Sequence, residues 1–214
     1  MKNINTILVI SPHTDDAELA CGGTIAKLAE QNKTIYYVTF SSCRDTLVGN
    51  FPPKTIEEEC RKATKTLGIK PKNCFIFNLK CKYFYNESRW IYEKLEKLKN
   101  LINPDLVIIP SLNDTHQDHS TVAEQAATLF RRSTSIISHE EPWNNMRFLP
   151  SFFVELSEED MKKKYQALEC YKTQYHFKKP FFDKEFIYGL ARARGMQINA
   201  KYAESFEVVK YIIK

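Results

Sequence analysis

The chain of 214 residues is long enough to bury one sizeable hydrophobic core and too short for two domains to be the default. Its composition, 43% hydrophobic and 27% charged, excludes a disordered or fibrous protein, and its net charge of +5 permits anionic ligands without requiring them. Its apolar runs are far shorter than the roughly 20 residues that a membrane-spanning helix needs. We therefore predict a single domain over residues 1–214.

Strands and helices are predicted to alternate along the first 132 residues. Apolar runs predict four strands, at 6–11, 34–40, 74–79 and 105–111, of which the first and the last are typical of strands buried on both faces. Apolar residues at spacings of three and four predict four helices, at 16–31, 55–67, 87–101 and 119–132. This alternation predicts an α/β fold, a Rossmann-like three-layer sandwich with a mainly parallel sheet flanked by helices.

The remaining residues carry weaker signals. We predict an edge strand at 152–156, a helix at 158–171 and a closing strand at 206–213. No internal repeat or low-complexity linker interrupts the chain, which agrees with one domain.

The N-terminus and the cysteines indicate a cellular compartment. The first residues lack the apolar stretch of about 7 to 15 residues and the small-residue cleavage site of a signal peptide. The cysteines form no C-x-x-C pair, so they define neither a zinc ribbon nor a thioredoxin motif. We therefore predict a cytoplasmic protein with six reduced thiols, at Cys21, Cys43, Cys60, Cys74, Cys81 and Cys170.

Three of the five histidines lie in two short acidic segments. The first segment, SPHTDDAE at 11–18, follows the first predicted strand, and the second, NDTHQDH at 113–119, follows the strand at 105–111. Open α/β sheets bind their ligands at the carboxyl ends of the strands, so we expect the two segments to converge on one site.

The residue types in these segments suit a catalytic metal. Catalytic zinc takes three protein ligands and leaves one position for water, and His13 and Asp16 with either His116 or His119 would supply the three. The simpler explanation is that acidic residues such as Asp15 cap a helix or complement the positive charge of its N-terminus. The occurrence of both segments at strand ends favours the metal site.

The wider sequence resembles a known family. The segment SPHTDDAELACGGT at 11–24 is similar to the P-H-P-D-D-E…G-G-T signature of the LmbE-like, or PIG-L, family of zinc-dependent N-deacetylases, and 113–119 resembles its H-x-D-H motif. Residues 59–68 resemble the family's E-x-x-x-A-x-x-x-L-G helix, and 194–195 with 202–206 resemble its C-terminal R-G…Y-A-E-x-F. The resemblance implies one LmbE-like deacetylase domain over nearly the whole chain.

The resemblance also implies roles for individual residues. It implies that Zn²⁺ is held by three ligands, His13, Asp16 and His119. It further implies that Asp15 is the base and that His116, oriented by Asp118, is the second proton-transfer group.

The sequence departs from the family pattern at several positions. Thr14 replaces the usual proline, and the usual glutamate after the two aspartates is one position late, at Glu18. The family's substrate-binding arginine is expected where this chain has Ile56. We predict that Arg44 or Lys54 binds the substrate in its place.

The resemblance implies removal of an acetyl group from the nitrogen of a small N-acetylglucosamine-type conjugate, which yields acetate and a free amine. One alternative is a zinc amidase that acts on another acyl amide, such as a thiol conjugate. A second, which the absence of a nucleic-acid motif disfavours, is a non-catalytic nucleotide or nucleic-acid binding module. We expect no nucleic-acid partner and no membrane span, and a homo-oligomer remains an open alternative.

Overall fold

The computed structural model describes residues 4–46, 51–52, 54–176 and 179–213. The strands are β1 (Thr6–His13), β2 (Thr34–Ser41), β3 (Cys74–Ile76), β4 (Leu106–Pro110), β5 (Ser135–His139), β6 (Phe152–Leu156) and β7 (Tyr202–Lys210). The helices are α1 (Asp16–Glu30), α2 (Thr55–Thr66), α3 (Ser88–Ile102), α4 (Gln117–Phe130), α5 (Glu158–Leu168), α6 (Lys172–His176) and α7 (Lys184–Met196). Within these ranges, no helix has the length and apolar character needed to cross a membrane.

All of these strands belong to one sheet, in the order β3-β2-β1-β4-β5-β7-β6. The first five in this order pair in parallel, whereas β7 runs antiparallel to both β5 and β6. The prediction of a Rossmann-like sandwich with a mainly parallel sheet is confirmed. The predicted helix at 158–171 ends early, at Leu168, and the closing strand begins earlier than expected, at Tyr202.

The central strand β1 is buried on both faces, as its apolar run predicts. Ile7 and Val9 pack in a core shared with α1 and α5, whereas Leu8 and Ile10 pack on the opposite face with α3 and α4. Burying one such side chain stabilises a fold by about 1.5 to 3 kcal/mol. The two cores hold β1 and its neighbour β4 rigidly in the middle of the sheet, which fixes where their carboxyl ends lie.

Helix α1 is broken at Cys21, where the backbone leaves helical geometry (φ −137°, ψ 25°). Two backbone N–H groups beyond the break donate to the Glu204 carboxylate, from Gly23 at 3.0 Å and from Thr24 at 2.6 Å. Lys164 Nζ lies 2.6 Å from the same carboxylate and balances its buried charge. The G-G-T and Y-A-E-x-F motifs therefore meet in a structural contact that caps the second half of α1.

The prediction of six reduced thiols is wrong for one pair. Cys43 and Cys81 form a disulfide, with their Cα atoms 5.5 Å apart. The two residues are 38 positions apart in the sequence, and they meet because β2 and β3 are parallel neighbours whose following loops leave the same edge of the sheet. The other four cysteines are free thiols.

Candidate metal centre and active site

The two histidine segments converge at the carboxyl edge of the sheet. His13 is the last residue of β1 and Asp16 the first of α1, while His119 lies in the first turn of α4, which follows β4. Because β1 and β4 are paired in parallel, both chain reversals occur on the same edge. The structure thus brings together segments that are about 100 residues apart, as the topology rule predicts.

Three donor atoms form a nearly equilateral triangle. His13 Nδ1 lies 3.1 Å from Asp16 Oδ2, His119 Nε2 lies 3.2 Å from Asp16 Oδ2, and the two imidazole nitrogens are 3.2 Å apart. A tetrahedral ion with ligands at 2.0–2.1 Å, as zinc has, requires donor atoms about 3.3 Å apart. The triangle therefore fits one such ion, and its nitrogen and oxygen donors suit zinc.

Two buried carboxylates lie beside the His119 imidazole, on the side away from the donor triangle. Asp114 Oδ2 lies 2.9 Å from His119 Nδ1, and Glu141 Oε2 lies 3.5 Å from the same nitrogen. Burial lowers the pKa of His119, but the charges of Asp16 and Glu141 and the bond to Asp114 outweigh it and raise the pKa well above its usual value. Carboxylates behind metal-binding histidines fix the ring orientation and increase the basicity of the free nitrogen.

Asp118 supports His13 rather than His116. Its Oδ2 lies 3.0 Å from His13 Nε2, and the carboxylate accepts backbone N–H bonds from Lys82 at 2.6 Å and Phe84 at 3.1 Å. The prediction that this carboxylate orients His116 is therefore corrected. The reason is that the first turn of α4 directs the side chain towards the end of β1, where these donors hold it.

His116 is the N-cap residue of α4, and its Nδ1 accepts the backbone N–H of Asp118 at 3.2 Å. The neutral ring therefore carries its proton on Nε2. If Nδ1 were protonated as well, its N–H would point at the backbone N–H of Asp118 and the hydrogen bond would be lost. Burial lowers the pKa of His116, and the charges of His119 and His13 lower it further. Because His116 lines the cavity described below, its neutral form can offer an Nε2–H donor to a bound molecule.

Asp15 precedes α1 but its side chain does not cap the helix by a hydrogen bond. The carboxylate is buried and lines the cavity. Burial raises the pKa of Asp15 to about 6, the charge of Lys179 opposes this rise and the charge of Asp16 adds to it. The capping explanation therefore does not account for Asp15, and a carboxylate with this pKa suits proton transfer near neutral pH.

These groups border a cavity of about 460 Å³. Among the described residues that line the cavity, two are lysines, Lys82 and Lys179. Ile56 contributes an apolar wall. Arg44 and Lys54 are not among the residues that line the cavity; both are exposed, Arg44 in a short helical turn (Arg44–Thr46) and Lys54 directly before α2. The structure thus does not bring the two predicted substrate-binding residues to the cavity.

Two further carboxylates near the site, Asp114 and Glu141, were not predicted from the sequence. Both are buried, and Glu141 also lines the cavity. Glu141 directly follows the segment His139–Glu140 at the end of β5, which pairs with β4. Titratable residues follow β5 just as they follow β1 and β4, and this pattern in the sequence could have pointed to Glu141.

The chain is similar to known proteins in sequence. Residues 8–130 match the model of the PIG-L family, described as GlcNAc-PI de-N-acetylase. The chain is 29% identical over 175 residues to the uncharacterized deacetylase YaiS of Escherichia coli, covering 78% of this chain and 90% of that protein. It is 27% identical over 206 residues to a probable N-acetyl-alpha-D-glucosaminyl L-malate deacetylase 2 of Bacillus anthracis, covering 89% and 90%.

Solved structures share the fold. The conserved protein TT1542 of Thermus thermophilus superposes with a TM-score of 0.80 at 21% identity over 99% of this chain and 97% of that one. The N,N'-diacetylchitobiose deacetylase of Pyrococcus horikoshii superposes with a TM-score of 0.77 at 20% identity, over 97% of this chain and 85% of that one. GalB, a 4-carboxy-2-hydroxymuconate hydratase of Pseudomonas putida, superposes with a TM-score of 0.77 at 22% identity, over 99% of this chain and 98% of that one. Because a hydratase shares this fold with deacetylases, the fold alone does not define the reaction.

The family match supplies what the fold does not. It covers more than half of the chain and includes every donor of the triangle. The prediction of a deacetylase-family hydrolase is confirmed, and the chain belongs to the PIG-L family of GlcNAc-PI de-N-acetylases.

Proposed function

We propose that the protein is a zinc-dependent hydrolase that removes the acetyl group from the nitrogen of an N-acetylglucosamine-type conjugate. The observation that carries this proposal is the triangle of His13, Asp16 and His119 donor atoms beside the buried carboxylate of Asp15, at the base of a cavity of about 460 Å³. The family and its deacetylase members support the reaction type.

We assign the metal to the three donors of the triangle. When bound there, zinc lowers the pKa of a bound water to about 7 and polarises an amide carbonyl. Asp114 and Asp118 hold the imidazoles of His119 and His13 in place from behind, so the donor atoms keep their positions.

Asp15 and His116 handle protons and charge. With a pKa of about 6, Asp15 is mostly ionised at neutral pH and can accept the proton of the attacking water. It can then deliver that proton to the departing nitrogen as the carbon–nitrogen bond breaks, which leaves acetate and a free amine. The Nε2–H of neutral His116 donates to the oxygen on which negative charge develops.

The cavity lining also bears on the binding-module alternative. A nucleotide-binding site without catalysis presents backbone N–H groups and cations to the phosphates. The lining of this cavity instead includes the carboxylates of Asp15, Asp16 and Glu141, which favour a cation over a phosphate. An amidase that acts on another acyl amide would use the same catalytic groups. Only the identity of the substrate distinguishes that alternative from the proposed deacetylase.

The first experiment tests substrate and metal together. The purified protein is assayed for acid release from N-acetylglucosamine glycosides, their N-formyl analogues and an amide-linked thiol conjugate, with its metal content measured in the same preparation. We expect one equivalent of zinc and acetate release from the N-acetyl glycosides. Bound zinc with release only from the thiol conjugate would favour the amidase, and neither zinc nor release would overturn the proposal.

Two substitutions separate metal binding from proton transfer. His119→Ala is expected to abolish stoichiometric zinc, because it removes one of three ligands. Asp15→Asn is expected to retain zinc but to lower kcat by about 10²-fold or more, because the amide cannot accept a proton. Unchanged zinc content in the first variant, or unchanged turnover in the second, would contradict the assignment.

A further inference from the structure

One buried carboxyl group close to the metal centre has no part in the chemistry proposed above. Glu18 lies in the first turn of α1, and its side chain is fully buried. It does not belong to the described lining of the cavity, so it can act on the reaction only through other residues. Its two oxygens contact two tyrosine hydroxyls: Tyr37 Oη lies 2.7 Å from Oε2, and Tyr171 Oη lies 2.6 Å from Oε1.

This glutamate stands one position later than in the family pattern, where Ala17 now occupies the usual place. Neighbouring residues on a helix point about 100° apart, so the shift turns the carboxyl group to a different side of α1. On that side it meets Tyr37 of β2 and Tyr171, which lies between α5 and α6. The departure from the family pattern therefore creates a contact between α1, the sheet and the segment after α5.

The hydroxyl of Tyr171 contacts two oxygen atoms at once. One is Glu18 Oε1 and the other is the backbone carbonyl oxygen of Thr14. A hydroxyl has one proton to donate, so it cannot donate a full hydrogen bond to both. The carbonyl has no proton of its own. Both contacts are satisfied when Glu18 donates to Tyr171 Oη and Tyr171 donates to the Thr14 carbonyl, which requires a neutral carboxyl group.

Tyr171 is held firmly in this position. Its side chain is fully buried, and its ring packs edge-on against Phe182, with ring centroids 6.2 Å apart. Two residues further on, Thr173 donates to the Glu59 carboxylate from its backbone N–H at 3.1 Å and from its hydroxyl at 2.6 Å. The Tyr171 hydroxyl is therefore a fixed donor for the turn that contains Thr14.

Thr14 connects the metal ligand His13 to the proposed base Asp15. His13 ends β1 and is held by Asp118, so its imidazole has a support of its own. Among the described residues, by contrast, no group donates a hydrogen bond to the Asp15 carboxylate. The direction of this carboxylate therefore depends on the backbone of the turn, which Tyr171 contacts directly.

We propose that Glu18 and Tyr171 are positioning residues for Asp15. Glu18 donates to Tyr171, Tyr171 donates to the Thr14 carbonyl, and the turn held in this way directs the Asp15 carboxylate into the cavity. This inference rests on the proposed function, because it explains how the base of that reaction is held.

Tyr171→Phe tests the contact with Thr14, because it removes the hydroxyl and keeps the ring. We expect kcat for acetate release to fall by about 10- to 100-fold, since a small displacement of a catalytic group is costly. Zinc content and KM are expected to stay close to the wild-type values, because the metal ligands and the cavity lining are unchanged. An unchanged kcat in the folded, zinc-loaded variant, or a change in KM alone, would overturn the inference.

Tyr175→Phe is the matched control. Its ring also packs against Phe182, with centroids 5.5 Å apart, but its hydroxyl is not among the described contacts of Thr14 or Glu18. We expect this variant to turn over substrate like the wild type. A loss of kcat as large as that of Tyr171→Phe would show that the effect comes from packing around Phe182, and it would overturn the inference.

Two substitutions of Glu18 test the direction of the hydrogen bonds. In Glu18→Gln, the amide N–H can donate to Tyr171 while the amide oxygen accepts from Tyr37, so kcat should stay close to that of the wild type. Glu18→Met has a similar length but can do neither, and kcat per bound zinc should fall as it does in Tyr171→Phe. Circular dichroism and zinc content identify the folded variants. Equal losses in the two variants, or equal retention of kcat, would overturn the proposed direction.

The wild-type protein separates the inference from the proposed function. Acetate release by the wild type with an unchanged kcat in Tyr171→Phe would leave the deacetylase function standing and reject the positioning role. Absence of hydrolysis of every N-acyl substrate by zinc-loaded wild type would reject the function itself. If only the thiol conjugate is hydrolysed, the same kcat comparisons on that substrate decide the positioning role, because an amidase would use the same base.

Discussion

At the scale of single residues, the donor types were predictable from the sequence, but their supporting contacts were not. His13, Asp16 and His119 stand at strand ends, so strand topology is enough to bring them together. The contact between Asp118 and His13 depends on how the first turn of α4 faces β1 and on N–H donors from the loop after β3. Such directions follow from tertiary packing, which spacing along the chain does not encode.

Asp114→Asn tests the role of a supporting carboxylate. The substitution keeps the size of the side chain but removes the charge that orients His119, so zinc affinity is expected to fall by about 10- to 100-fold. Competition with a chelator of known affinity measures this change. Glu155→Gln, at an exposed position on β6, is the charge-matched control and should bind zinc like the wild type. Equal affinity in both variants would show that Asp114 does not tune the metal centre.

At the scale of elements, periodicity predicted the position of α1 but not its break. The residues around Cys21 are small and apolar, so they fit a helical pattern whether or not the helix is continuous. The partner that caps the second half, Glu204, lies about 180 residues away on β7. The sequence resemblance linked both motifs to one family, and the structure shows that they are linked by a buried contact.

Gly23→Ala tests this contact. A Cβ at Gly23 would lie 2.5 Å from Leu156 Cδ1 and 3.2 Å from Glu204 Oε1, so the free energy of unfolding is expected to fall by about 1 to 3 kcal/mol. Gly189→Ala in α7 is the matched control, because nothing lies within 4 Å of its added Cβ. There the free energy of unfolding should rise by about 0.5 to 1 kcal/mol. Urea denaturation compares the two, and a Gly23→Ala protein as stable as the wild type would contradict the close contact.

At the scale of the whole molecule, the alternation of apolar strands and amphipathic helices was enough to predict the fold. The disulfide was not predictable, because Cys43 and Cys81 have no diagnostic spacing and meet only through sheet order. Disulfides persist mainly in oxidising compartments. The cytoplasmic location, the oligomeric state and the single-domain boundary stay predictions.

Replacing both disulfide cysteines by serine tests what the bridge contributes. The bridge constrains the unfolded chain, so its removal is expected to lower the free energy of unfolding by about 2 to 4 kcal/mol. Thermal unfolding without reductant measures the effect, and reductant added to the wild type should reproduce it. Cys170→Ser, which replaces a free and half-buried thiol, should leave stability nearly unchanged. A double variant as stable as the wild type would show that the bridge does not form.

The disulfide also contributes to the cavity, since both of its cysteines line it. On one side, a covalent link adjoins the loop whose N–H groups hold Asp118, and through it His13, so the groups assigned to chemistry are fixed. On the other side, the stacked rings of Trp143 and Phe181 are held by packing alone among the described residues. Substitutions at the two stacked rings are therefore expected to change which molecules the cavity accepts while the residues beside the disulfide-linked loop keep their positions.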